Sequence, residues 1–343
     1  MKLDNDIKLD FSDVLLLPNW SDLNSRNDVI IEREFKFKYS PYVWTGVPII
    51  VSNMDTTGTI EMARVLQKYK VLTCLHKFYS EDDIPEDLDK NYYMISTGTS
   101  EADLERLDKI VKKHEPYFIC VDVANGYHKK FIDTVKELRK RYPDKVLVGG
   151  NVVTNNLVQE LILNAGLDIV KIGVGSGSVC TTRLQTGVGY PQFSAVVECS
   201  DAAHGIDGHI ISDGGIQNVG DISKAFGAGA DFVMCGSMFA GHDESGGELV
   251  EIDNKKYKVF YGMSSSTAMN RYHGGVAHYR SAEGKTVKVN YRGSVEDTIK
   301  HMLGGIRSSM TYIGAKKIKH IPRSANFIRV NNIVNKIYNG NEI

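Results

Sequence analysis

Eight short runs rich in Val and Ile recur along the chain, and several of the segments between them carry the spacing of amphipathic helices. The runs cover 48–52, 71–76, 93–97, 118–123, 145–149, 168–173, 209–213 and 231–235. Ser100 reads as a helix N-cap followed by Leu104, Leu107, Ile110 and Val111 on one face, and Phe131, Val135 and Leu138 mark another face. Fully apolar strands alternating with such helices predict parallel strands buried on both sides. Eight units predict an α/β fold of the (β/α)8 (TIM) barrel class; an open doubly wound sheet is the alternative. A length of 343 residues suits one large barrel or two average domains. The barrel reading makes 1–343 a single domain with an N-terminal extension (about 1–45), a hairpin and lid insertion (about 241–290) and a C-terminal helix and tail.

A barrel of this kind places chemistry just after its strands. Those positions read Ser52-Asn-Met-Asp55, His76-Lys77, Asp122-Val-Ala-Asn-Gly126, Gly149-Gly-Asn151, Asp213-Gly-Gly215 and Gly236-Ser237. Each alone is also an ordinary turn composition. Glycine and serine after the last two strands leave backbone N–H groups free for a phosphate, and Asp213 can accept from ribose hydroxyls. The remaining strand end is Gly173-Val-Gly-Ser-Gly-Ser-Val-Cys-Thr-Thr-Arg183. It puts a thiol on a permissive backbone with a hydroxyl at Thr182 and a charge at Arg183, a setting that favours thiolate. A mobile glycine loop that happens to carry a cysteine is the competing reading. The spacing does not complete Gly-x-Gly-x-x-Gly, so a dinucleotide would be held in another way.

The net charge of −1 gives no general attraction to nucleic acid or to an acidic membrane. The first residues lack a secretion signal and no apolar run approaches the ~18 residues of a spanning helix, so a soluble, cytoplasmic protein is expected. The cysteines, at 74, 120, 180, 199 and 235, show no metal or redox spacing, and those at 74, 120 and 235 sit in apolar runs. Past the eighth strand, 248–260 reads as a hairpin about Asp253-Asn254. The polar stretch 261–285 reads as an exposed loop or a mobile lid, Val295–Tyr312 as a helix, and the tail has no assignment.

Gly177-Ser-Val-Cys-Thr-Thr-Arg183, with Asn53-Met-Asp-Thr56 before it and Ile211-Ser-Asp-Gly-Gly215 after it, resembles the family of IMP dehydrogenases and GMP reductases. The resemblance runs from Phe11-Ser-Asp-Val-Leu-Leu16 to Phe327-Ile-Arg329. It implies a barrel that attacks C2 of a purine nucleotide with Cys180. Within the family the reductase branch is favoured: there is no room for the regulatory modules that dehydrogenases usually insert. Thr186-Gly-Val-Gly-Tyr-Pro-Gln192, Phe260-Tyr-Gly-Met-Ser-Ser265 and Glu283-Gly-Lys-Thr-Val287 also look like that branch. Arg271-Tyr272 superficially resembles the water-activating pair of the dehydrogenases, yet precedes Gly274-Gly275 as a similar phrase does in reductases. The implied reaction is NADPH-dependent reductive deamination of GMP to IMP and ammonia. The alternatives are IMP oxidation with NAD and a catalytically silent nucleotide-binding barrel.

The resemblance makes Cys180 the nucleophile, with Thr182 and Glu283 relaying the proton to ammonia. It places Ser178, Asp213, Gly214, Gly215, Gly236, Ser237, Tyr261, Gly262, Met263, Ser264, Arg280, Ser281, Ala282 and Gly284 around GMP. Lys77, Asp122, Val123, Ala124, Ile172, Gly173, Ser308, Ser309, Met310 and Thr311 would face NADPH, with Ser25 and Arg26 given to a neighbouring subunit's site. Gly175, Gly177, Cys180 and Arg183 would hold potassium, and the assembly implied is a homotetramer. Ser176 stands where the family commonly has proline.

Overall fold

The computed structural model describes residues 3–276, 278, 279 and 281–331. Two short strands, β1 (Val14–Leu16) and β2 (Arg33–Lys36), precede the barrel. The barrel strands are β3 (Val43–Val51), β4 (Val71–Leu75), β5 (Tyr93–Thr97), β6 (Phe118–Asp122), β7 (Val146–Val152), β8 (Ile169–Ile172), β9 (His209–Asp213) and β10 (Phe232–Cys235). Each pairs in parallel with the next, and β10 returns to β3 through Val233↔Ile49, Met234↔Ile50 and Cys235↔Val51. That last ladder closes the sheet and excludes the open doubly wound alternative. All eight apolar runs of the sequence are barrel strands.

Strand alternation divides the apolar residues between two cores. Ile50, Leu72, Cys74, Met94, Phe118, Cys120, Val148, Ile169, Ile211 and Met234 fill the barrel, and Phe35, Phe37 and Trp44 join them. Phe35 stacks on Phe232 at 4.3 Å between ring centres and so plugs the N-terminal end. Ile49, Val51, Ile95, Ile119, Val121 and Leu147 point outward under the helices.

The helical layer comprises α1 (Ile60–Leu66), α2 (Glu101–His114), α3 (Lys129–Arg141), α4 (Asn155–Leu163), α5 (Thr182–Thr186), α6 (Gln192–His204) and α7 (Val219–Gly227). Then come α8 (Ser266–His273), α9 (Val295–Tyr312) and α10 (Ile321–Ser324). α2 starts where predicted: the Ser100 hydroxyl accepts from the Asp103 N–H and the Asp103 carboxylate accepts from the Ser100 N–H, both at 3.2 Å. Its buried face includes Leu107, Ile110 and Val111, and α3 buries Phe131, Val135 and Leu138.

Beyond β10, β11 (Leu249–Ile252) and β12 (Lys255–Tyr261) form the expected hairpin. Asp253 and Asn254 both have positive φ, 51° and 59°, as a two-residue turn of this twist requires. Two features differ from the sequence expectation. β13 (Thr286–Asn290) adds a third strand to the hairpin, and the 261–285 stretch contains helix α8. α8 is capped by Ser265 and buries only Ala268 and Met269 of its early residues, too few to show a periodic stripe. The unassigned tail supplies β14 (Phe327–Arg329), which pairs antiparallel with β1. Among the described residues no helix is long and apolar enough to cross a membrane.

Candidate active site

Glycine is required where the loop after β8 crosses the loop after β9. Gly173 has φ 152°, and a Cβ there would lie 2.0 Å from the Asp213 carbonyl oxygen; a Cβ on Gly214, at φ 95°, would meet Ser176 Oγ at 2.4 Å. The two loops are stitched by the Gly215 N–H donating to Ser176 O (2.9 Å) and Ser176 Oγ donating to Asp213 O (3.1 Å). Ser176, where the family commonly has proline, thus holds the loop through its hydroxyl.

On this loop the Cys180 thiol donates to Thr182 Oγ1 at 3.2 Å, and the Thr182 hydroxyl donates to Glu283 Oε2 at 2.7 Å. Glu283 reaches the thiol because its segment is laid against the cysteine loop by main-chain bonds. The Thr181 N–H donates to Glu283 O (2.8 Å), the Lys285 N–H to Val179 O (2.9 Å), and the Glu283 N–H to Ser264 O (3.0 Å). A thiol, a hydroxyl and a carboxylate in line can carry a proton away from sulfur and return it elsewhere. Arg183 is a correction to the sequence picture. Its guanidinium turns to Asp10 (2.8 and 3.3 Å) and Tyr190 O (2.5 Å), so its charge is neutralised there and not held for the thiolate. The other four cysteines are buried. Burial raises the thiols of Cys74 and Cys235 and pushes Cys199 up to about 12. Cys180 alone is partly accessible.

The floor of the mouth is ionic. Lys171, 1% exposed in the middle of β8, contacts Asp122 Oδ1 and lies 3.2 Å from Asp213 Oδ2. Burial opposes the ammonium, but the two carboxylates outweigh it and hold the pKa well above the usual lysine range. Burial also opposes the Asp122 carboxylate, and Lys171 with Asn53 outweighs it in turn, so that carboxyl is held below the usual range. Asn53 Nδ2 donates to Asp122 Oδ2 (3.0 Å), and Asn151 Nδ2 donates to Asp213 Oδ2 (2.9 Å) and Gly173 O (2.8 Å).

A second polar cluster ties down α8 and the end of β12. Tyr261 and Tyr272 both donate to Asp55 Oδ2 at 2.5 Å, and the Arg271 guanidinium is 3.6 Å from the same oxygen. Tyr272 also stacks on Phe78, ring centres 3.5 Å apart. Arg271-Tyr272 thus anchors α8 to the loop after β3.

Of the residues expected around substrate, Ser178 flanks Cys180, Asp213, Gly214 and Gly215 follow β9, and Gly236 and Ser237 follow β10. The Gly262 N–H donates to Lys285 O (3.2 Å), Met263 and Ser264 lead into α8, and Ser281 Oγ donates to Gln185 Oε1 (3.4 Å). Ala282 and Gly284 flank Glu283, and Gly284 bridges to both Cys180 and Ser265. Arg280 lies outside the described residues.

The expected cofactor residues do not form one cluster. Lys77, Asp122, Val123, Ala124, Ile172 and Gly173 stand at the ends of β4, β6 and β8. Ser308, Ser309, Met310 and Thr311 lie roughly 20 Å down α9 from its start at the mouth. There α9 packs on the 3₁₀ turn Arg26–Asp28, capped by Ser25, and Arg307 donates to Val29 O (2.9 Å). Ser308 to Thr311 therefore group with Ser25 and Arg26 at the opposite end of the barrel from Lys77, and Met310 is fully buried. The proposed potassium donors fit a hard cation, being neutral main-chain oxygens on one loop. Gly177 O and Arg183 O each accept one N–H, from Cys180 (3.0 Å) and Gly187 (3.2 Å), and each keeps a second lone pair.

Sequence reasoning gave no part to Lys171 and did not foresee the Asp55 cluster. A lysine inside an otherwise apolar strand was the available signal, because a buried ammonium needs anionic partners.

The family described as "IMP dehydrogenase / GMP reductase domain" matches residues 8–336. Similar curated proteins include "GMP reductase 2" of Homo sapiens, 56% identical over 98% of each chain. Others are "GMP reductase" of Enterobacter sp. (strain 638), 53% identical over 99% of each, and of Caenorhabditis elegans, 52% identical over 98% of this chain and 96% of that one.

Proposed function

Because the chain belongs to the IMP dehydrogenase/GMP reductase family, we propose that it catalyses GMP + NADPH + H⁺ → IMP + ammonia + NADP⁺. The observation that carries this reading is the line Cys180–Thr182–Glu283, which joins a nucleophile to a proton carrier at the mouth of a closed barrel. Cys180 passes its proton through Thr182 to Glu283, and the thiolate adds to C2 of GMP. Glu283 and Thr182 return the proton to the 2-amino group, the C2–N bond breaks, ammonia leaves and a covalent thioimidate remains. Bound NADPH supplies the hydride that reduces C2, after which the C2–S bond breaks and Cys180 departs as thiolate. Asp213 accepts from the ribose, while Gly214, Gly236 and Ser237 offer backbone N–H groups to the phosphate and Gly215, its N–H held by Ser176 O, shapes the turn beside it.

Gly175, Gly177, Cys180 and Arg183 supply carbonyls to a potassium ion that steadies the loop. Lys77, Asp122, Val123 and Ala124 meet the nicotinamide end of NADPH. Ser25, Arg26 and the Ser308 to Thr311 turn of α9, set together at the end of the barrel opposite Lys77, serve a neighbour's cofactor in a homotetramer. Five free cysteines suit a reducing, cytoplasmic setting.

Purified chain should oxidise NADPH in the presence of GMP and release ammonia. Reduction of NAD with IMP in place of that reaction would make it a dehydrogenase, and GMP binding with neither turnover would make it a silent barrel.

A further inference from the structure

The GMP reductase reading assigns Asp213 to the substrate and Asp122 to the cofactor, and the inference here rests on that reading. The two carboxylates stand on different strands, β9 and β6, yet both contact the single ammonium of Lys171 on β8, a residue with no ligand assigned to it. Neither contact exceeds 3.2 Å, so the two carboxylate oxygens lie within twice that distance of each other. Each has one further side-chain donor, Asn53 on Asp122 and Asn151 on Asp213, and both donors are neutral. Cys74 on β4 and Cys120 on β6 are the other titratable groups turned toward Lys171, and Lys77 acts on Asp122 from the end of β4. Among the described residues Lys171 is therefore the one buried cation in contact with both acids.

We propose that Lys171 is a positioning residue for both ligands, keeping Asp122 and Asp213 ionised at the same time so that each can accept a hydrogen bond from a hydroxyl of its own ligand. Two carboxylates so close share a proton when no cation separates them. A protonated carboxyl becomes a donor and can no longer serve as a pure acceptor. One nitrogen thus sets the hydrogen-bonding sense of two subsites, and its loss penalises GMP and NADPH together.

The test is calorimetric titration of GMP and of NADPH into wild type, Lys171→Met and Lys171→Arg between about pH 6 and about pH 9. Referring each Kd to wild type at the same pH cancels titration of the ligands' own phosphates. For Lys171→Met both ratios should be raised at low pH and should fall by about tenfold or more as the pH rises and the shared proton is lost. Lys171→Arg should restore flat profiles by keeping the charge. Adding Asp122→Asn to Lys171→Met should flatten both profiles, with the GMP ratio falling back toward wild type and the NADPH ratio staying raised, because Asp213 then has no partner with which to share a proton and the amide at 122 does not titrate; this double variant also serves if Lys171→Met does not fold. Ratios that are raised but independent of pH, or a pH effect on one ligand only, would overturn the role of Lys171. Wild type that binds neither GMP nor NADPH would instead overturn the functional reading.

Discussion

Replacing Glu283 with Gln keeps the shape of the side chain but removes its charge and its capacity to hold a proton. Two magnitudes can be separated. If Glu283 only orients Thr182, the 2.7 Å bond from the threonine hydroxyl changes from a charge-assisted bond to a neutral one. That is a loss of roughly 1 kcal/mol, or about fivefold in rate. If Glu283 carries the proton to departing ammonia, reduction of GMP should fall by about 10²–10⁴-fold. The reverse half-reaction, IMP with NADP⁺ forming the thioimidate and NADPH, needs no proton delivered to nitrogen, and the partly accessible Cys180 thiol can lose its proton to solvent, so this direction should be far less affected. Steady-state loss of NADPH absorbance with GMP gives the first quantity, and a single-turnover burst with IMP and NADP⁺ gives the second. A drop near fivefold, or equal drops in both directions with ligand affinities unchanged, would refute the relay and leave Glu283 an orienting group.

Asp213→Ala should weaken GMP binding by about 1.5–3 kcal/mol, read by calorimetry, and an unchanged affinity in folded protein would remove the end of β9 from the nucleotide site. Tyr272→Phe keeps the stack on Phe78 but deletes the bond to Asp55, so limited proteolysis within α8 should quicken several-fold; an unchanged rate would mean that this bond does not hold α8 in place. Burial, only partly offset by Asp55, lowers the His76 pKa from 6.5 to about 4. Between those values the unfolded chain takes up a proton that the native state refuses, so His76 lowers stability as pH falls from about 6.5 toward about 4, by at most roughly 3 kcal/mol. Urea unfolding of wild type and His76→Leu at neutral pH and near pH 4.5 should show that difference, and parallel acid losses in both would count against it.

The barrel was legible because its strands are continuous apolar runs and its last helix, Val295–Tyr312, has caps and a stripe long enough to read. The cysteine loop stood out through its glycines, since a thiol among positive-φ positions is a local feature. What sequence could not supply were contacts between distant segments. Nothing local says that Arg183 turns back to Asp10, or that β14 returns to β1. The Lys171 side chain, in an apolar strand, meets carboxylates that belong to two other strands. Ser308 to Thr311 group with Ser25 and Arg26 and not with Lys77 for a geometric reason: a helix that starts at the mouth of a barrel ends at its opposite face.

The pairing of β1 with β14 has a consequence for the order in which the protein is made. Leu17 N–H donates to Asn326 O and Val330 N–H to Asp13 O, both at 2.8 Å, so the first strand is gripped at both its ends by residues made long after the barrel strands. Just before that strand, Asp10 holds the Arg183 guanidinium and the Gln192 N–H behind the cysteine loop. During translation the barrel strands all leave the ribosome before the segment that clasps the N-terminus exists. A nascent chain halted after β10 therefore has its thiol but lacks both Glu283 and the grip on Asp10, and the reactive centre is completed only when the last strand emerges.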